Sequence, residues 1–175
     1  MVESIEDPRR TDPPTVSRDE KASYDAWLDF HRSTLLLKCD GLDDAGRRAR
    51  PVGTSLMSLH GLVRHMAEVE RAWFRRVIGG ENLVAGIYWS DDNPEGDFEI
   101  PPEAHWEDDL AIWQGEIDAA RAIAAGHDLD DTGVRRRTGE DVDLRWVYLH
   151  MIEEYARHNG HADLLREMVD GSVGD

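Results

Sequence analysis

The run LRWVYLHMIEEYARHNGHADLL, residues 144–165, decides how the chain is to be read. In steps of three and four, Leu144, Val147, Met151, Glu154, His158, Ala162 and Leu165 fall on one face, so the run is a long helix. Asp143 stands where an N-cap belongs, and Asp170-Gly171 closes the helix. A carboxylate and an imidazole interrupt its apolar stripe. An unpaired carboxylate loses several kcal/mol when taken out of water, so Glu154 needs a donor, a cation or a metal.

Three further helices are predicted upstream. Ser17 followed by Glu20 has the spacing of a capping box, and Tyr24, Trp27, Leu28, Leu35 and Leu42 recur at helical intervals. This first helix spans about Arg18 to Asp40 and ends near Gly41. A second begins after a cap at Thr54 or Ser55, carries Leu59, Leu62, Met66, Val69, Trp73 and Val77, and stops at Gly79-Gly80. A third has Pro101-Pro102 in its first turn, then Ala104, Trp106, Leu110, Trp113, Ile117, Ala120 and Ile123, with Gly126 at its end. Between helices 2 and 3, residues 81–100 lose all periodicity, with Tyr88, Trp89 and Phe98 scattered among Gly, Asp, Asn and Pro. Residues 127–142 form a second polar connection containing Arg135-Arg136-Arg137. With no convincing strand, the expected architecture is an all-α four-helix bundle with long connections between helices 2 and 3 and between helices 3 and 4. It occupies residues 17–175, behind a disordered or loosely attached arm over residues 1–16.

Charge narrows the function. Twenty basic against 37 acidic residues give a net charge of −17, spread along the chain. Such a surface repels phosphate backbones and anionic headgroups, which argues against nucleic acid and membrane as partners. No apolar run approaches the roughly 18 to 20 residues of a bilayer span. Met1 to Thr15 lack the apolar core of a signal peptide, so the cytoplasm is the expected compartment. Cys39 is the only cysteine, which excludes an internal disulfide and a cysteine-based zinc cluster. Among Leu35, Leu36, Leu37 and Leu42 it reads as a small hydrophobe.

His65 breaks the stripe of the second helix, three after Leu62 and four before Val69. Glu154 and His158 are one turn apart on the last helix, so a histidine from a second helix completes three ligands around one ion. His161, three after His158, is an alternative ligand, and His150 lies four before Glu154. His31, His60, His105 and His127 read as surface or packing residues. A buried Glu154–His65 ion pair explains the same pattern without metal, and the residues alone leave both readings open. The chain lacks Glu-x-x-His, His-Glu-x-x-His, a Gly-rich phosphate loop and Gly-x-Ser-x-Gly. The aromatics of the first connection, Tyr88, Trp89 and Phe98, are candidates for a lid or pocket wall, with Tyr88 and Trp89 as the ones to exclude water, and Arg135 to Arg137 are candidates for contact with an anionic substrate.

The segments Thr54–Phe74 and Glu153–Glu167 are similar to the DinB/YfiT-like superfamily, in its actinobacterial branch of unknown function, and the resemblance runs from Ser17 to Met168. It implies one divalent ion, zinc or nickel, held by a histidine of helix 2 and two residues four apart on the last helix. Those positions correspond to His65, Glu154 and His158. It further implies a transferase conjugating mycothiol or a similar small thiol to electrophiles in detoxification, and a homodimer by analogy. The mycothiol-dependent maleylpyruvate isomerase has a like His, Glu, His set but carries a further domain, so isomerisation is not the expected activity. A non-enzymatic metal-binding stress protein and a metal-dependent hydrolase are the alternatives.

Overall fold

The computed structural model describes residues 7–173. The chain is mostly helical, with one small two-stranded sheet. Asp19 accepts from the Ala22 amide and starts α1 (Glu20–Cys39). The Ser17–Glu20 box does not form, because the Ser17 hydroxyl bonds the backbone of Asp19 instead. Asp43 caps a short helix that the sequence reading did not contain, α2 (Asp44–Arg48). The next cap is Ser58, not Thr54 or Ser55: its hydroxyl accepts from Gly61 at 3.1 Å and opens α3 (Leu59–Glu70). From Arg71 to Ile78 the same rod continues as a π-helix, where Gly79 donates back to the Phe74 carbonyl at 2.8 Å.

Pro101 and Pro102 stay outside α4 (Trp106–Ala125), which begins after His105 and ends at Gly126. The expected proline in its first turn is therefore absent. Thr132–Arg135 (β1) and Glu140–Asp143 (β2) pair antiparallel, with Thr132 opposite Asp143 and Arg135 opposite Glu140. This hairpin corrects the all-α expectation; four residues per strand on a polar segment carry too little alternation to register as strands. β1 lies directly on the π-helical turn, since a Cβ on Gly133 would sit 1.9 Å from the Val77 carbonyl oxygen. Asp143 accepts from Trp146 at 2.7 Å and starts α5 (Leu144–Asp170), which closes on Gly171 at a φ of 80°.

α5 packs against α1 and α3, and α4 covers α3 and the π-helical segment. Leu28, Leu35, Leu62, Met66, Phe74, Trp113, Leu144, Met151 and Leu165 form the buried centre. Through it runs a polar chain with one member from each long helical rod. Arg32 of α1 donates twice to Glu70 of α3 at 2.8 and 2.9 Å, Tyr155 of α5 donates to Glu70 at 2.7 Å, and Trp113 of α4 donates to Tyr155 at 3.0 Å. Glu70 is fully buried, so its two charge-assisted bonds and the tyrosine offset its desolvation.

Residues 1–6 of the expected arm lie outside the described residues, as do 174 and 175. Arg9 pairs with Asp7 and with Asp40, and the Arg10 guanidinium lies 5.0 Å from the Phe30 ring centre. No helix among the described residues is long and apolar enough to cross a membrane.

Candidate metal centre

α3 and α5 lie side by side, and His65, Glu154 and His158 project into the seam between them. One donor atom from each of the three lies within 4.8 Å of the others. Glu154 Oε2 and His158 Nε2 are 3.5 Å apart, and the rings of His65 and His158 meet edge to face at 4.7 Å. His158 is buried, while His65 and Glu154 are half-buried.

Each imidazole is held from its outer side. His65 Nδ1 is 2.7 Å from Asp97 Oδ2, and its ring stacks on Phe98 at 4.9 Å. A carboxylate only accepts, so Nδ1 is the donor in this contact and Nε2 is the nitrogen left for a cation. Arg64 fixes the segment that delivers Asp97, donating to the carbonyls of Gly96 and Asp97 at 3.0 and 3.1 Å. Gly96 makes that approach possible, because a Cβ there would meet the Tyr88 carbonyl oxygen at 2.3 Å. His158 Nδ1 faces His161 Nδ1 at 3.3 Å. His161 therefore stands behind His158, outside the group of three, and burial lowers its pKa.

The partners of Glu154 set it apart from other interior carboxylates. Glu70 has Arg32, Glu116 has Arg71 and Arg75, and Asp109 has Arg64 and His60. Among the described residues no arginine or lysine donates to Glu154. It is flanked by His158 Nε2 on one oxygen and His150 Nε2 on the other, each at 3.5 Å. The contact with His158 holds its pKa below the ordinary carboxylate value against the effect of burial, with His150 adding to the shift. The suggested Glu154–His65 ion pair does not form, since the carboxylate bonded to His65 is Asp97. Two imidazoles and a carboxylate without a fixed cation fit the nitrogen and oxygen donor set of a zinc or nickel ion.

His150, Glu153 and Glu154 form a second group with the same donor spacing along α5. His150 sits against Trp73 at 4.6 Å and stacks on Trp146 at 4.9 Å, and burial lowers its pKa. The Arg135 guanidinium lies 5.3 Å from the Trp73 ring centre, which puts Arg135 on the aromatic wall beside the group of three.

Tyr88 and Trp89 are placed elsewhere. Their amides, with that of Ile87, converge on Glu68 Oε1 at 2.7, 3.4 and 2.5 Å. The Tyr88 ring lies under Arg64 at 3.8 Å, and Trp89 lies 5.8 Å from the Arg76 guanidinium. The aromatic from that connection which reaches the centre is Phe98. Phe98 belongs, with Tyr88 and Trp89, to the aromatics expected to wall a site, whereas Asp97 was not singled out because a connection without periodicity marks no polar residue above its neighbours. Cys39 is buried, and its thiol is pushed up to about 12 by that burial, so it is inert at neutral pH.

The chain belongs to the DinB/YfiT-like superfamily, as the match to a family model over most of its length shows. The family model described as Mycothiol-S-transferase matches residues 23–171, and the chain belongs to that family. None of the curated proteins matches it.

Proposed function

We propose that this protein is a cytoplasmic, divalent-metal-dependent S-transferase that conjugates mycothiol, or a similar small thiol, to electrophiles in detoxification. Its fold is taken as a four-helix bundle of the DinB/YfiT-like type, and His65, Glu154 and His158 as the ligands of one ion, zinc ahead of nickel. The observation that carries this reading is the convergence of two imidazoles, from α3 and α5, with a carboxylate of α5 to which no arginine or lysine among the described residues donates. The family supports the thiol half of the proposal.

A divalent cation held by these residues supplies the positive charge that keeps a thiol ionised at neutral pH. The chain's own contribution is positional. Asp97 holds His65 Nδ1 and Phe98 stacks on its ring, while His161 packs against His158 from outside with their Nδ1 atoms facing at 3.3 Å. Three protein ligands leave positions open for a reactant, as catalytic sites do and closed structural sites do not. Phe98 stacks on one face of His65 and keeps water from it. The nucleophile comes from solution, because Cys39 is buried and protonated.

The test is to incubate the zinc-loaded protein with mycothiol and monochlorobimane and to compare His65→Ala. The expected result is a fluorescent conjugate from the wild type and background from the variant. Equal rates from the two would refute the metal-dependent reading. Product formation without any thiol would favour a hydrolase, and metal-dependent stability with no turnover would favour a structural role.

A further inference from the structure

The aromatic wall beside Glu154 leads outward to a groove between the β-hairpin and the first turn of α5. Trp146 forms the corner: it is 41 % exposed, stacks on His150 with rings 21° apart, and lies 5.1 Å from Trp73. The groove is lined by Arg135, Glu140, Asp141, Val142, Asp143 and Trp146, is open to solvent along one side and offers about 500 Å³, within the range of small-molecule sites. The contacts are continuous from this groove to the centre: Trp146 touches His150, and His150 lies 3.5 Å from Glu154.

This lining selects a chemical class. Three carboxylates disfavour an anion, and the oxygens not already engaged by the Thr138 hydroxyl and the Trp146 amide are acceptors that a purely apolar ring could not use. A neutral polyol meets both demands. Its hydroxyls donate to Glu140, Asp141 and Asp143 and accept from Arg135, and the C–H face of a six-membered ring covers the open side of the indole. We propose that this groove binds the sugar end of the thiol cosubstrate, with the sulfur directed along the Trp146–His150 wall toward Glu154. Mycothiol has the required form: an acetylated cysteine amide-linked to glucosamine, which in turn carries inositol, uncharged and with its polyol far from its sulfur. Trp146 and Glu154 are eight positions apart on α5, about 12 Å along the axis, a span suited to a cysteinyl amide followed by two rings. The identity of the ligand, though not the chemistry of the groove, rests on the transferase reading above.

The test uses the sulfur-free headgroup, N-acetylglucosaminyl-inositol, titrated into metal-free and zinc-loaded protein while the indole N–H signals are followed by NMR. Trp146→Phe assigns the Trp146 signal. The expected result is a saturable shift of that signal, the same with and without zinc, with binding weakened about tenfold or more by Trp146→Ala and largely retained by Trp146→Phe. A Trp146 signal that does not move, or equal affinity in Trp146→Ala, overturns the proposal. In turnover, Trp146→Ala lowers the ratio of kcat/KM for mycothiol to that for N-acetylcysteine about tenfold, and an unchanged ratio also overturns it. Headgroup binding by a protein that conjugates no thiol would defeat the transferase reading and leave the groove assignment intact.

Discussion

At the residue scale, the informative contrast is between Glu70 and Glu154. Glu70 is fully buried and answered by Arg32 and Tyr155, so it is complete as it stands. Arg32→Met is expected to destabilise the protein by about 3–5 kcal/mol, because a buried charge loses its partner. Urea unfolding measures this, and a second change, Glu70→Gln, should recover part of the loss. Glu154 has only imidazoles at 3.5 Å, and no comparable cost is expected from Glu154→Gln in the metal-free protein. Its cost should fall on zinc affinity instead. Asp97→Asn tests the outer contact: an amide places no obligation on the His65 tautomer, and zinc binding is expected to weaken about 10- to 100-fold. Competition with a chromophoric chelator reads it, and unaltered affinity would show Asp97 to be incidental. His65, Glu154 and His158 were legible in the sequence because each interrupts a periodic apolar stripe. Asp97 was not; of the three aromatics expected to wall a site, Phe98 reaches His65, while Tyr88 and Trp89, equally prominent in the same connection, turn instead to Glu68, Arg64 and Arg76.

At the scale of elements, periodicity located all four long helical rods and placed their C-terminal ends at Gly41, Gly79-Gly80, Gly126 and Gly171. Their starts were less legible. Asp19 and Ser58 cap where Ser17 and Thr54 or Ser55 also had the right chemistry, and side chains of equal capping power cannot be ranked without knowing where packing begins. The π-helical stretch leaves no mark because its residues are those of an ordinary amphipathic helix, with Arg71 and Arg75 both turned to Glu116. The hairpin was missed for its brevity, yet it forms one side of the groove at Trp146. Its seat depends on Gly133, whose missing side chain allows β1 to lie against Val77. Gly133→Ala is therefore expected to lift the hairpin, destabilising the protein by about 1–3 kcal/mol. Hydrogen exchange over residues 132–143 should accelerate, and unchanged protection there would contradict the close seating.

At the scale of the molecule, acid should act on the metal-free protein through its histidines first. His31, His150 and His161 all titrate below the ordinary 6.5, chiefly because of burial. The unfolded chain takes up protons before the folded one as pH falls through that value, so stability decreases from there downward. Glu154 and Asp109, held below 4.5 and 3.8, extend the loss at lower pH, where the unfolded carboxylates again protonate first. With the −17 surface screened by salt, Tm should fall between about pH 7.5 and 5.5, and a flat profile over that interval would contradict the lowered titration of these half-buried imidazoles. The chain of Arg32, Glu70, Tyr155 and Trp113 has a further consequence. Because it ties one residue from each rod into a single register with no ion involved, the three-donor seam is assembled in advance of any guest. Under the proposed metal reading, zinc would fill the site without folding it: titration should leave the far-ultraviolet circular dichroism unaltered while still raising Tm, unlike a zinc finger, whose helix appears only as the ion arrives.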